Sequence, residues 1–193
     1  MSADATHGAA PRAEAAPASR PSIGALWTAL AAVPDPEIPV VSVAELGILR
    51  GVEWDPADPD TLVVIVTPTY SGCPATELIA SLIRDAMSAA GVARVRVETR
   101  LSPAWTTAWI TPEGRAKMRE FGIAPPEGGR AAPASAAIDV TGLSPLRRAG
   151  VVVPCPRCGS VATRLLSQFG STACKAQYRC LDCLEPFDYF KPL

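Results

Sequence analysis

The sequence predicts an α+β fold: a small sheet with helices packed on one face, followed by a small all-β module. Three observations support it. Elements in the order α-β-β-α-β-α can be followed over roughly 100 residues. A stretch rich in Pro, Gly and Ala comes next, and two cysteine pairs lie near the end of the sequence. We therefore expect a disordered tail over 1–21, a first domain over 22–125, a linker over 126–150 and a four-cysteine module over 151–193.

The first half of the domain shows the residue periodicity of a helix and then that of two strands. Residues 22–33 carry apolar side chains at helical spacing, and Ser22 is a reasonable N-cap for a helix that must stop before Pro34. Residues 48–54 and 61–67 are typical of two strands, joined by a turn rich in Asp and Pro.

The second half repeats the alternation of helix and strand. A helix is expected after Cys73-Pro74 and as far as about Ala90, with an apolar face that includes Leu78. Residues 95–101 alternate apolar and charged side chains, which predicts a strand with one buried face. A last short helix is expected over about 111–121.

Composition excludes several classes of protein. The 18 basic and 19 acidic residues leave no positive excess for general nucleic-acid binding. No apolar run approaches the ~20 residues of a membrane span, and the N-terminal stretch does not resemble a secretory signal, so we expect a cytoplasmic protein. The only histidine is His7, in the predicted tail. Ser-His-Asp and Cys-His catalysis and histidine-ligated metal centres are therefore not expected.

The two C-x2-C pairs predict a metal site. Cys155 with Cys158, and Cys180 with Cys183, are separated by 21 residues, and strand-like segments lie between and after them. This is the layout of a zinc ribbon, in which two turns supply four sulfur ligands. A module of ~40 residues has a small core, so the metal would supply folding energy on the order of 10 kcal/mol. A single iron, a disulfide pair and free thiols are the alternatives, and zinc is favoured.

A closed shell of four thiolates has no open position, so the expected role of this metal is structural. The aromatic side chains of the module are expected to form its core, although some could dock a partner: Phe169, Tyr178, Phe187, Tyr189 and Phe190. Cys174 is either a small core residue or a second reactive thiol.

Cys73 is the candidate functional thiol of the first domain. It lies before a predicted helix, where free N–H groups and the helix dipole favour a thiolate that could attack an electrophile or bind a metal. A buried, inert cysteine is the plainer alternative. Asp35 and Glu37, in a loop made rigid by prolines, could supply oxygen ligands, or could be surface or capping residues.

Three segments of the first domain resemble the SufT-like family of metal–sulfur cluster assembly domains. They are Asp35-Pro36-Glu37-Ile38-Pro39-Val40, Glu45-Leu46-Gly47-Ile48 and Thr67-Pro68-Thr69-Tyr70-Ser71-Gly72-Cys73-Pro74, in the order the family shows. The resemblance covers about residues 22–125. It implies a compact α+β domain that assembles or delivers iron–sulfur clusters, with Cys73 as the functional thiol and the loop of Asp35 and Glu37 beside it.

The C-terminal module resembles the PaaD family, small subunits of the multicomponent phenylacetyl-CoA epoxidase system. The matching segments are Phe169-Gly170-Ser171-Thr172-Ala173-Cys174-Lys175-Ala176, Tyr178-Arg179-Cys180 and residues 185–191. The resemblance implies oxygenase and reductase components as partners. It also places Cys174 inside a family motif, which favours a functional role for this thiol.

Together these features predict a maturation factor for the iron–sulfur or di-iron components of that system. Cys73 would handle metal or a transient iron–sulfur cluster, and the zinc ribbon would dock the client. The alternative is a non-catalytic structural or regulatory subunit of the assembled oxygenase. A thiol-redox enzyme using Cys73 and Cys174, and a nucleic-acid role for the ribbon, rank below both.

Overall fold

The computed structural model describes residues 20–126 and 152–192, so nearly all of the predicted tail and of the predicted linker lies outside the described residues. A three-stranded sheet forms the frame of the first domain. Its strands are β1 (Leu49–Trp54), β2 (Thr61–Val66) and β3 (Arg94–Thr99), in the order β1-β2-β3. β1 is antiparallel to β2, whereas β3 is parallel to β2 and follows a helical crossover. The central strand is buried along its whole length.

Among the described residues, three α-helices accompany the sheet: α1 (Ile23–Ala31), α2 (Thr76–Ala89) and α3 (Pro112–Phe121). A short 3-10 helix, Thr107–Trp109, precedes α3. The Ser22 hydroxyl accepts the N–H of Ala25, which confirms the predicted cap of α1. α1 and α2 contact each other and pack against β1 and β3 respectively. The predicted α+β class is therefore confirmed. The prediction for Leu78 is wrong: its side chain is exposed, because α2 instead buries Ile79, Ala80, Ile83 and Met87.

The Glu45–Ile48 motif has a structural explanation. Glu45 and Ser42 cap each other: the N–H of Ser42 meets the Glu45 carboxylate at 2.9 Å, and the N–H of Glu45 meets the Ser42 hydroxyl at 3.1 Å. Gly47 has a φ of +69°, and a Cβ added there would lie 2.5 Å from the Cβ of Trp109. Glycine is required at this position for both reasons. The motif thus fixes the chain entering β1 against the segment that precedes α3.

The C-terminal module is a ribbon whose sheet extends into the first domain. Its own strands are β5 (Thr163–Ser167), β6 (Lys175–Cys180) and β7 (Pro186–Phe190). A fourth strand, β4 (Ile123–Ala124), follows α3 and pairs in parallel with β7, giving the order β4-β7-β6-β5. β4 was not predicted, because a strand of two residues is too short to show an alternating pattern.

Side-chain contacts also hold the ribbon against the first domain. Phe190 is 2% exposed and lies in the core of the first domain, with its ring edge-on to Trp105 at a centroid distance of 6.0 Å. The indole N–H of Trp105 donates to the carbonyl of Leu46 at 2.9 Å. On the other side, the guanidinium of Arg157 lies against Gly122, the C-cap of α3.

The aromatic residues of the ribbon divide between three environments. Tyr178, Phe187 and Tyr189 belong to its small core, as predicted. The prediction is wrong for Phe190, which packs in the other domain, and for Phe169, which is 65% exposed. Of the helices in the described ranges, none is long and apolar enough to cross a membrane.

Candidate metal and thiol sites

The structure brings the four paired cysteines together. Cys155 and Cys158 lie on the turn before β5, Cys180 ends β6 and Cys183 lies on the turn before β7. Their four Sγ atoms all lie within 4.8 Å of one another. The Sγ–Sγ distances are 3.7 Å for Cys155–Cys183 and 3.6 Å for Cys158–Cys180. A tetrahedron with Zn–S bonds of ~2.3 Å has edges of roughly 3.8 Å. This donor set therefore fits a four-coordinate metal such as zinc.

Backbone N–H groups favour the thiolate form of one of these ligands. The N–H of Cys183 donates to Sγ of Cys180 at 3.5 Å, and this bond, with a second from Asp182, lowers the pKa of Cys180 to about 6. A thiolate is the form that binds a metal. Cys155 and Cys180 are buried while Cys158 and Cys183 are exposed, so the site lies at the surface of the ribbon.

Cys73 lies on a hydrogen-bonded turn before α2. Its N–H donates to the carbonyl of Tyr70 at 3.1 Å, and its own carbonyl accepts the N–H and hydroxyl of Thr76 at 3.3 and 2.9 Å. The side chain is partly exposed. The turn holds the thiol in a defined place and leaves one side open to solvent.

Cys174 comes from the ribbon but faces the first domain. Its side chain packs partly against the core of that domain, and its Sγ lies 3.0 Å from the hydroxyl of Thr172. Burial raises the pKa of the Cys174 thiol, and the neighbouring Glu37 and Cys73 raise it further. Its backbone carbonyl accepts the N–H of Lys191 at 2.9 Å. The thiol is thus held in place and favours its protonated form.

Asp35 caps its own loop. It is 6% exposed, and its Oδ1 accepts the N–H groups of Glu37 and Ile38 at 3.0 and 2.8 Å. Burial raises the pKa of the Asp35 carboxyl, against the effect of these bonds. Glu37 is half-buried and faces the same cleft as the thiols.

Cys73, Cys174, Asp35 and Glu37 line one narrow cleft of about 20 Å³ between the two domains, and Phe190 closes one wall. Three of them, Cys73, Cys174 and Glu37, also line an adjoining cleft of about 10 Å³. In the described ranges, the four-cysteine group is the one set of three or more ligand atoms already gathered for a metal ion. The cleft is therefore not a preformed mononuclear metal site.

Two residues beside this cleft were not predicted from the sequence. Lys175 is 5% exposed and pairs with Asp188 at 3.5 Å, and Thr172 contacts the Cys174 thiol. Lys175 and Thr172 flank Cys174 in the sequence motif, which was the available signal. Nothing local indicated that a lysine on a ribbon strand would be buried.

Two family models match separate parts of the chain. Residues 24–98 match the model described as iron-sulfur cluster assembly protein, and residues 143–191 match the PaaD zinc beta ribbon domain. A curated protein of Escherichia coli (strain K12), named as a putative subunit of 1,2-phenylacetyl-CoA epoxidase, is 46% identical over 176 residues. The match covers 89% of this chain and 93% of that protein.

Two solved structures resemble about half of the chain. One is a domain of unknown function from Bacillus anthracis, 26% identical with a TM-score of 0.45, covering 50% of this chain and 90% of that chain. The other is a conserved hypothetical protein from Thermotoga maritima, 29% identical with a TM-score of 0.44, covering 52% of this chain and 97% of that chain.

Proposed function

The chain belongs to the PaaD family, and from this membership we propose that it is a maturation factor for the phenylacetyl-CoA epoxidase system. It serves an accessory role, in which Cys73 handles iron or an iron–sulfur cluster on its way to a client. The client is the iron–sulfur reductase component, with the di-iron oxygenase component as second candidate. The observation that carries the proposal is a partly exposed thiol, held on a hydrogen-bonded turn in a region that matches a cluster-assembly model.

The chemistry of the cleft supports this role. Thiolates are the usual ligands of iron–sulfur clusters. Cys73 offers one such ligand, and Glu37 offers an oxygen in the same cleft. An incomplete ligand shell suits a cargo that must leave again, because the client can complete the coordination as it takes the metal.

The four-cysteine group holds zinc in this proposal. The Sγ positions fit its tetrahedral geometry, and a shell of four thiolates would stabilise the ribbon without taking part in a reaction. The ribbon would also dock the client. In this proposal the client covers large apolar side chains that the ribbon exposes: Val152, Val161, Leu165, Leu166, Phe169, Leu181 and Leu184.

The test compares client components produced with wild-type protein, with Cys73→Ala and with Ser88→Ala as a matched control on the exposed side of α2. The measured quantities are the iron, the acid-labile sulfide and the visible spectrum of the purified reductase and oxygenase components. We expect several-fold lower iron and sulfide with Cys73→Ala and no change with Ser88→Ala. Equal loading of the components with all three proteins would refute the proposal.

One observation favours a second function. The Escherichia coli relative is named as a subunit, which suits a structural or regulatory component that stays in the oxygenase complex. This alternative predicts stoichiometric co-purification with the oxygenase. It also predicts that already mature components lose activity when the protein is removed, whereas a maturation factor can be removed without loss.

A further inference from the structure

The ribbon places a second thiol beside Cys73. We infer that Cys73 and Cys174 together form a two-thiolate site between the domains, which takes iron as its cargo, either as Fe²⁺ or as one edge of an iron–sulfur cluster. The inference deepens the proposed function and rests on it. It assigns to the ribbon a direct part in binding the cargo, in addition to any docking of the client.

The positions of the two thiols carry this inference. They lie in different domains, yet both line the same cleft and its smaller neighbour. Cys174 packs partly against the core of the first domain while its side chain lines the cleft. A cysteine that only filled the ribbon's own core would not reach across the interface in this way.

Both thiols are held in place before any ligand arrives. Cys73 lies on the turn that leads into α2, and Cys174 lies on the turn that leads into β6, where the N–H of Lys175 donates to the carbonyl of Thr172 at 3.2 Å. Ligands on hydrogen-bonded turns next to regular elements lose little conformational entropy on binding. The cleft is therefore organised for binding although its set of ligands is incomplete.

The ligand chemistry selects a thiophilic metal and leaves the shell incomplete. Binding converts two thiols to thiolates, and the two protons go to solvent. Glu37 lies near Cys174 and offers an oxygen donor, but its carboxylate is not gathered with the two sulfurs into one set. Cargo held by two sulfurs keeps positions open for inorganic sulfide or for ligands of the client.

The two-thiol site exists only when the ribbon is packed against the first domain. The pairing of β4 with β7 and the insertion of Phe190 beside Trp105 fix the ribbon on the first domain. Cys174 reaches the cleft because of these contacts. The four-cysteine group would act on the cargo site at a distance, by keeping the ribbon folded.

Cobalt is a suitable probe, because Co²⁺ binds sulfur and nitrogen sites more weakly than Zn²⁺ and leaves zinc in the four-cysteine group. Full-length zinc-loaded protein is titrated with Co²⁺ without oxygen, and the thiolate-to-cobalt absorption is followed. We expect one additional Co²⁺ per chain in the wild type. Cys73→Ser and Cys174→Ser should each weaken binding at least tenfold, while Ser171→Ala, an exposed neighbour, should bind as the wild type does.

Zinc content and thermal unfolding show whether each variant is folded. A second measurement needs no variant: wild-type protein is treated with a reagent that cross-links two neighbouring thiols. We expect the cross-linked peptides to contain Cys73 and Cys174. Wild-type binding of Co²⁺ by folded Cys174→Ser, or the absence of this cross-link, would overturn the inference. Loading with Fe²⁺ alone, and with a mixture of Fe²⁺, Fe³⁺ and sulfide that supplies the oxidation level of a cluster, distinguishes the free ion from a cluster.

The same variants separate this inference from the proposed function. If Cys73→Ala prevents client maturation while Cys174→Ser matures the client and binds Co²⁺ normally, the proposed function is supported and the two-thiol site is refuted. If Cys73→Ala matures the client normally, the proposed function is refuted, and the cobalt titration still tests the two-thiol site independently.

Discussion

Single residues in the cleft combine structural and chemical roles, and Asp35 shows how the two can be separated. Its Oδ1 holds the loop through the N–H groups of Glu37 and Ile38. This function needs an acceptor oxygen but no charge. Because burial raises the pKa of Asp35 above its ordinary value of 3.8, ionisation of this carboxyl is less favourable in the folded protein than in the unfolded chain.

We predict that Asp35→Asn is at least as stable as the wild type near neutral pH, whereas Asp35→Ala loses about 1–2 kcal/mol with the two hydrogen bonds. A carboxyl whose pKa is higher in the folded state favours folding less as pH rises from its ordinary value through the raised one. The stability advantage of Asp35→Asn should therefore grow with pH over that window.

Urea unfolding of the three proteins over a pH series measures these differences. Any loss of metal in acid affects wild type and Asp35→Asn alike, so their difference isolates the carboxyl. A marked loss of stability in Asp35→Asn near neutral pH would show that the charge itself stabilises the fold. If that variant is stable but fails to mature the client, the carboxylate takes part in the chemistry.

At the level of elements, the two cysteine turns of the ribbon resemble each other but are not equally well suited to their backbone. The residue after each second cysteine has a left-handed conformation: Gly159 with a φ of 75° and Leu184 with a φ of 66°. Glycine adopts this conformation without strain, whereas leucine does so at a cost of about 1–2 kcal/mol. Leu184 is also 58% exposed, so it recovers little of this cost by packing.

We predict that Leu184→Gly stabilises the zinc-loaded protein by about 0.5–1 kcal/mol, the relief of strain less the entropy of glycine. Gly159→Ala is the matched control in the opposite direction. A Cβ there meets nothing within 4 Å, so its cost of about 1 kcal/mol is conformational. Thermal and urea unfolding at saturating zinc test both. Destabilisation by Leu184→Gly would mean that the leucine side chain makes contacts that outweigh the strain.

At the scale of the whole molecule, the ribbon meets the first domain both beside its metal site and at the thiol cleft. Arg157, inside the first cysteine turn, contacts Gly122 at the end of α3, and β4 follows directly. Phe190, at the end of β7, reaches the core of the first domain. We therefore expect folding of the ribbon and formation of the cleft to be coupled through these contacts.

We predict that removing the metal from the four-cysteine group releases the ribbon from its contacts with the first domain. Hydrogen exchange at Ile123 and Ala124 should then rise by about tenfold or more, and Cys174 should react faster with an alkylating reagent, because the metal contributes to folding of the ribbon. The buried amides of β2 serve as the internal control and should stay protected. Unchanged hydrogen exchange at β4 after complete metal removal would show that the ribbon stays packed against the first domain without the metal.

Much of this organisation could be predicted from local patterns. Helical and strand periodicity located α1, α2, α3 and the strands β1, β2, β3, β5, β6 and β7. The C-x2-C spacing identified the four cysteines that the structure gathers. These features depend on neighbours a few residues apart, where backbone geometry imposes a fixed period or a fixed turn. The family motifs added Cys73, Asp35 and Glu37 as a group.

Only the tertiary structure revealed that the ribbon is part of the thiol cleft. No local pattern indicates that Phe190 leaves the ribbon core for that of the first domain, that two residues after α3 form β4, or that Cys174 meets the cleft of Cys73. Such contacts depend on how two folded surfaces fit together, and side-chain periodicity does not encode that fit. The sequence by itself therefore determined every α-helix and strand named here except β4, together with the four-cysteine group, while the packing of one domain on the other decided which thiols share a site.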